Sequence, residues 1–273
     1  MTTINSDGQA YAGIDDLAVE FCDGVLSITL NRPDTLNALT AAMYATMADT
    51  LERAATDPGV RVVRLGGAGR GFSSGAGVSA QDQAARNASG SQAEIVGTAS
   101  RAIRSIVNLP QPVVAVVQGP AAGIGASLAL ACDVILASED AFFVLAFTTV
   151  GLMTDGGASA LFAAAVGRVR AMRMALLAER ISAAEAYAWG LVTALYPADG
   201  FNTEVARVIS TLAKGPMVAL RKTKQAINAA TLTELEAALE REQRGQRVLI
   251  ESNDFREGAK AFQERRPPKF TDY

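Results

Sequence analysis

The chain has 273 residues, 49% of them hydrophobic, with 25 Lys and Arg against 28 Asp and Glu for a formal charge of −3. A slightly acidic chain without long basic runs is a poor match to nucleic acid, whose phosphates call for clustered Lys and Arg. It also lacks histidine altogether, which removes Ser-His and Cys-His nucleophile pairs, imidazole acid–base chemistry and the commonest zinc sites, and leaves proton transfer to Asp, Glu, Tyr, Lys or Cys.

Residues 1–16 are polar and aperiodic and read as a loose tail. Leu17, Val19 and Phe21 alternate up to a turn at Asp23-Gly24, and 25–30 returns as a second apolar run, which predicts a hairpin. Thr40 is placed to cap a helix whose Met43, Met47 and Leu51 recur at helical spacing, and Asp57-Pro58-Gly59 ends it before a strand over 60–65. The run Gly66-Gly67-Ala68-Gly69-Arg70-Gly71 lacks the Gly-Lys-Ser/Thr ending of a phosphate loop and reads as a flexible turn. Residues 84–92 are small and polar and are expected to form a mobile flap, after which Ile95, Ala99, Ile103 and Ile106 mark a helix closed by Pro110.

Residues 113–117 read as a fully buried strand, and the order strand, loop, helix recurs through apolar runs at 133–137 and 141–144, a bend at Asp155 and a small-residue helix from Gly157. Ser182-Ala183-Ala184-Glu185 has capping-box form, 191–196 reads as a last strand, and the pattern is helical from Asp199. The organisation expected is a polar tail (1–16), an α/β core (17–200) and a helical C-terminal region (201–273). Cys22 and Cys132 lack metal-ligand spacing and read as small buried hydrophobes. No run of roughly 20 apolar residues and no basic-then-apolar start is present, which predicts a cytoplasmic protein without a membrane span.

Three loops carry the chemistry: Phe72-Ser73-Ser74-Gly75-Ala76-Gly77, Gly119-Pro120-Ala121-Ala122-Gly123-Ile124-Gly125, and Gly151-Leu152-Met153-Thr154-Asp155-Gly156-Gly157. The first two follow β-like runs, and their small residues permit two backbone N–H groups to approach one oxygen, as an oxyanion hole requires. A helix starting at the second loop would add its positive end. Tight strand-to-helix turns would read the same way. Asp155, in a glycine-flanked bend, is the candidate catalytic carboxylate, with an ordinary helix N-cap as the alternative.

Asn31-Arg32-Pro33 with Leu36-Asn37-Ala38-Leu39, then Phe72 to Gly77, Gln118 to Gly125 with Cys132-Asp133, Ala188-Trp189-Gly190-Leu191-Val192, and the ending Asp254-Phe255-Arg256-Glu257-Gly258 through Phe262 resemble the enoyl-CoA hydratase/isomerase (crotonase) family in order and spacing. The resemblance implies the crotonase (ClpP-like) fold, repeated ββα units wound in a spiral with a helical C-terminal trimerisation region. It further implies an acyl-CoA substrate, no metal or redox cofactor beyond coenzyme A as part of that substrate, and a homotrimer or dimer of trimers. By the same resemblance the Ser74 and Ile124 N–H groups hold the thioester oxygen. Ser74, Gly75, Ala76 and Gly77 line the acyl-CoA channel, Leu36 and Ala38 lie along the coenzyme, and Val78, Gly119, Gly123 and Phe147 join the substrate-binding set. The basic ending Arg265-Arg266-Pro267-Pro268-Lys269 reads as a solvated tail within reach of a neighbouring subunit's CoA phosphates.

Where the family's hydratases carry two glutamates, this chain has Ser127 and Phe147. Adding water takes two carboxylates, one to activate it and one to manage the proton at the α-carbon, and a phenyl ring does neither. The single-aspartate isomerase branch instead places its carboxylate shortly after a Gly-Leu pair, where Asp155 stands. The resemblance therefore implies shift of a 3-enoyl-CoA double bond to the 2-position, with Asp155 as proton shuttle and Phe147 filling the space where water would sit. A hydratase, a ring-rearranging acyl-CoA isomerase, a dehalogenase using Asp155 as nucleophile and a non-catalytic acyl-CoA binder remain alternatives.

Overall fold

A computed structural model of the protein describes residues 2–4, 10–77 and 92–272. Val78 and the segment 84–91 of the expected flap lie outside the described residues. The strands β1 (Thr2–Ile4) and β2 (Ala10–Ala12) pair with each other, and β3 (Leu17–Cys22) and β4 (Val25–Leu30) form the hairpin expected from their alternation. Helix α1 (Ala41–Ala55) starts where the Thr40 hydroxyl accepts the Met43 N–H at 3.3 Å, and buries Met43, Met47 and Leu51. There follow β5 (Val62–Gly67), α2 (Gln92–Asn108), β6 (Val113–Val117), β7 (Ala121–Ala122), α3 (Ile124–Ala131), β8 (Val134–Ser138) and β9 (Phe142–Val144). After a 3₁₀ turn at Ala146–Val150 come α4 (Ala158–Leu177), β10 (Ile181–Ser182), α5 (Ala183–Ala188) and β11 (Ala194–Tyr196). Helices α6 (Phe201–Lys214), α7 (Met217–Thr231), α8 (Leu235–Ile250) and α9 (Asn253–Gln263) complete the helical region expected after residue 200.

The main sheet has the order β11-β8-β6-β5-β4-β3, parallel throughout except for the β3–β4 hairpin, and β10-β9-β7 form a smaller sheet beside it. Parallel neighbours need crossover connections, which α1, α2, α3 and the segment carrying α4 and α5 supply. The five residues of β6, Val-Val-Ala-Val-Val, explain how the sheet is buried on both faces. Val113, Ala115 and Val117 point into the main core with α1, α2 and α3, while Val114 and Val116 face Phe201, Val205 and Ile209 of α6. A strand with polar residues at either phase would leave one of these two cores incomplete.

Polar anchors connect the layers. Asp133 Oδ2 accepts the Val113 N–H at 2.7 Å and pairs at 2.7 Å with Lys224 of α7, whose Nζ also donates to the Ile106 and Gln111 carbonyls. The Cys132-Asp133 pair of the sequence signature is thus a structural joint between β6 and the helical region.

Several local expectations change. The N-terminal segment read as a loose tail is fastened at Tyr11, 1% exposed, whose hydroxyl donates to the buried Asp57 carboxylate at 2.7 Å. Burial and the neighbouring Asp57 charge push the Tyr11 hydroxyl pKa upward. Sequence periodicity could not find this contact because a single aromatic carries it. Cys22, expected to be buried, is exposed at the end of β3, while Cys132 is buried as expected. The glycine run 66–71 is held by polar side chains: Gln118 Nε2 donates to the Gly67, Gly69 and Gly71 carbonyls and Asn37 Nδ2 to those of Ala68 and Gly71. The basic ending folds back, with Arg266 bidentate on Glu257 at 2.5 and 2.9 Å. Tyr11→Phe, which removes one donor from the buried Asp57 carboxylate, is expected to lower stability by about 1–2 kcal/mol in urea unfolding.

Candidate active site

The first two loops are laced into one floor. The Phe72 and Ser73 N–H groups both donate to Pro120 O at 3.0 Å, and Ala122 N–H returns a bond to Ser73 O at 2.8 Å. Gly75, at φ +89°, lies against the second loop so closely that a Cβ would meet Ala122 O at 2.8 Å. No other residue type allows that approach at that φ. Above this floor lies a cavity of about 320 Å³, lined among others by Tyr44, Ser74 to Gly77, Gly123, Ile124, Phe147 and Asp155. Leu152, Ile250, Phe255 and Phe262 extend the apolar wall, so the C-terminal helices close one side. A larger cavity of about 550 Å³, lined by Lys224, Asn228 and Leu235, opens beside α7 and is not bordered by any of the three loops.

Ser74, Gly75, Ala76, Gly77, Gly123, Ile124, Phe147 and Asp155 of the expected set come together at the cavity. Leu36, Ala38 and Gly119 do not line it. The Leu36 carbonyl accepts a backbone bond, the Ala38 carbonyl takes Arg32 Nη1 at 2.8 Å, and Gly119 is a packing glycine whose Cβ would meet Arg70 O at 2.0 Å.

The open N–H of the first loop lies two residues beyond the one expected. The Ser74 N–H, expected to face substrate, already donates to Leu36 O at 2.7 Å, and the Ser74 hydroxyl donates to Thr35 O at 2.8 Å. Ala76 bridges Leu39 in parallel fashion, but the two ladder bonds run from Leu39 N–H to Gly75 O and from Gly77 N–H to Leu39 O. The Ala76 N–H therefore points away from that ladder and, among the described residues, has no acceptor. Ile124 begins α3, so its N–H is one of the helix's unpaired first-turn donors, as expected. Ala76 from the first loop and Ile124 from the second thus each bring to this cavity an N–H without an acceptor among the described residues.

Among the described residues lining the cavity, Asp155 is the one carboxylate. Its place before α4 raises the N-cap alternative, and the structure assigns the cap elsewhere. Glu242 of α8 accepts from Gly157 N–H at 2.7 Å, Ser159 N–H at 2.8 Å and the Ser159 hydroxyl at 2.6 Å. The Asp155 side chain makes no cap bond; its Oδ2 accepts from Gln246 Nε2 at 2.8 Å, and its Oδ1 is buried without a partner among the described residues. Burial raises the Asp155 pKa to about 7, opposed by the Gln246 hydrogen bond and reinforced by the Glu242 charge. Ser127 donates its hydroxyl to Asp155 O at 2.9 Å, and the buried Phe147 ring lies near Gly123.

Glu242 and Gln246 escape a local reading of the sequence, since their partners lie some ninety positions away. The available signal was phase: both sit on the buried stripe of α8 that contains Leu235, Ala238 and Leu239. A polar residue at an apolar phase implies a polar partner inside.

Oriented backbone donors, a helix N-terminus and a buried carboxylate around an apolar cavity define a site for chemistry through a stabilised oxyanion. The sequence agrees with that class. The family profile of enoyl-CoA hydratase/isomerase matches residues 20–273. The chain is 37% identical over 254 residues to 1,2-epoxyphenylacetyl-CoA isomerase of Escherichia coli (strain K12), covering 91% of this chain and 95% of that one. It is 42% identical over 254 residues to a probable enoyl-CoA hydratase of Rhodobacter capsulatus, covering 92% and 96%. A crystal structure of an enoyl-CoA hydratase from Mycobacterium avium subsp. paratuberculosis K-10 superposes with a TM-score of 0.89 at 63% identity, covering 95% of this chain and all of that one. The protein belongs to the enoyl-CoA hydratase/isomerase family, has the crotonase fold and is an acyl-CoA enzyme. Among the described residues, no helix is long and apolar enough to cross a membrane.

The raised pKa of Asp155 has a thermodynamic consequence with a definite sign. Unfolded, the carboxyl ionises near its ordinary value of 3.8; folded, it holds its proton to about pH 7. Its contribution to stability is therefore fully present below the unfolded value and lost as pH rises through the folded one. Asp155→Asn is expected to raise Tm at pH values above about 7 and to leave it nearly unchanged near about pH 4, as read by calorimetry.

Proposed function

We propose that this enzyme moves the double bond of a 3-enoyl-CoA to the 2-position, with Asp155 as a single proton shuttle. The observation that carries the reading is a carboxylate, the one among the described residues of the cavity and free of capping duty, whose pKa of about 7 lets it take a proton and return it at neutral pH. Ionised Asp155 removes a proton from C2, and the C–H electron pair passes into the thioester, forming an enolate. The Ala76 and Ile124 N–H groups take the enolate oxygen, assisted by the N-terminus of α3. As the enolate collapses, a C2=C3 bond forms and the former C3=C4 pair accepts the proton from Asp155 at C4, giving the trans-2-enoyl-CoA. Coenzyme A takes part as a portion of the substrate, and the shuttle needs no other cofactor.

Hydration is disfavoured in this reading. The Ser127 hydroxyl already bonds to Asp155 O, and Phe147 presents carbon where a second acid–base group would have to stand. Water addition would thus lack one of its two proton-handling groups.

The α4 face beyond Gly167 exposes Val169, Leu176 and Leu177, at 80%, 62% and 63%. An exposed apolar face of this kind supports assembly through this region as a homotrimer or dimer of trimers. Light scattering is expected to give a mass of three or six chains; a monomer would contradict the assembly.

With trans-3-hexenoyl-CoA in D₂O, wild type is expected to give α-proton exchange and the 2-enoyl product, and Asp155→Asn to lose about 10²–10⁴-fold in kcat. Water addition to crotonyl-CoA is expected to be slight in both. Undiminished turnover in the variant, or hydration exceeding isomerisation, contradicts the proposal. In the wild type kcat/KM should fall on the acid side with a midpoint near 7, because the base acts only when ionised.

A further inference from the structure

The two oxygens of the Asp155 carboxyl have different surroundings. Oδ2 accepts Gln246 Nε2 at 2.8 Å, whereas Oδ1 is buried with no partner among the described residues. The same Nε2 gives its second hydrogen to Met153 O at 2.9 Å, so the amide is fixed against backbone two residues before Asp155. One turn earlier on α8, Glu242 holds the far end of the same bend through Gly157 and Ser159. Residues i and i+4 lie on one helix face, so a single face of α8 grips the chain on both sides of the carboxylate.

The orientation of the amide follows from its partners. Met153 O and Asp155 Oδ2 are both acceptors, so nitrogen must face them, and Gln246 Oε1 is left buried with no partner among the described residues. A donor that bonds one carboxyl oxygen is compatible with the ionised group and equally with the acid whose proton sits on the other oxygen.

We propose that Gln246 is the positioning residue of Asp155, anchoring Oδ2 throughout the cycle and thereby reserving Oδ1 as the oxygen that takes the proton from C2 and delivers it at C4. The inference rests on the double-bond migration argued above. In the first half-reaction the C2–H bond breaks and an Oδ1–H bond forms, with the electron pair left on the enolate; in the second, Oδ1–H breaks as C4–H forms. Gln246 keeps its bond in both halves, so the carboxyl does not have to turn between them.

The charges around the group agree with this role. The Gln246 donor favours the ionised carboxyl and opposes the effect of burial, while Glu242 on the same helix acts in the other direction. Arg241 bears on Glu242; the groups facing Asp155 from α3 and the 3₁₀ turn, Ser127 and Phe147, carry no charge.

The test is steady-state isomerisation of trans-3-hexenoyl-CoA by wild type, Gln246→Leu and Asp155→Asn from about pH 5 to about pH 9, with circular dichroism on each. Gln246→Leu is expected to lose on the order of tenfold in kcat with KM changed less than about twofold, since orientation and not binding is impaired. Its acid limb should move up by about one pH unit, because the bond that favours the ionised form is gone. Should that variant fail to fold, Gln246→Met, which keeps the length of the chain, is read in the same way. Wild-type kcat and an unmoved acid limb in the Gln246 variant, with Asp155→Asn inactive, overturn the positioning role and leave the isomerase reading standing. An active Asp155→Asn overturns that reading itself.

Discussion

A carboxylate taken out of water must be paired, hydrogen-bonded or protonated. Asp155 faces an apolar cavity with one oxygen bonded to an amide and the other without a partner among the described residues. The surrounding architecture exists in a form that keeps it so. The laced loops at 72–77 and 119–125 bring backbone donors to the same cavity, Phe147 occupies space with carbon, and α8 holds the bend containing Asp155 through Glu242 and Gln246. Because Glu242 performs the capping that an aspartate before a helix ordinarily does, Asp155 is left free for chemistry. Helix capping thus falls to Glu242 on a separate element, and the proposed proton transfer to Asp155.

This division makes the C-terminal helices part of the site as well as part of the fold. Ile250, Phe255 and Phe262 supply cavity wall, Gln246 touches the carboxylate, and Lys224 fastens the region to β6 through Asp133. The tight contact between α8 and the bend is visible at Gly245, where a Cβ would run into Met153 Sδ at 2.1 Å. A side chain there would force the Met153 thioether aside, two residues before Asp155, so the packing of a remote helix bears on the bend that holds the carboxylate.

The parts of this arrangement that depend on local rules were legible in the sequence. Thr40 and Ser182 cap helices as their spacing predicts, β6 is buried along its whole length as a run of β-branched residues demands, and the two glycine loops follow strands. The family signature then located Asp155, Ile124 and Phe147 at one cavity. What escaped depends on tertiary contact. Choosing between the N–H groups of Ser74 and Ala76 requires knowing that Leu36 O occupies the first and that the Leu39 bridge leaves the second open. Glu242 and Gln246 gain meaning only once α8 is folded against the bend, and Tyr11 only once Asp57 is buried beneath it. Composition had already excluded imidazole, which left proton transfer to a carboxyl, phenol, amine or thiol, and the cavity brings Asp155 forward among these.

The central claim is that burial holds the Asp155 carboxyl near neutrality in the resting enzyme. Its most direct measurement is a pH titration of protein labelled with ¹³C at the aspartate carboxyls, the Asp155 resonance being identified by its loss in Asp155→Asn. The account predicts a midpoint near 7 for that signal. A midpoint near about 4, the value of an exposed aspartate, would contradict it.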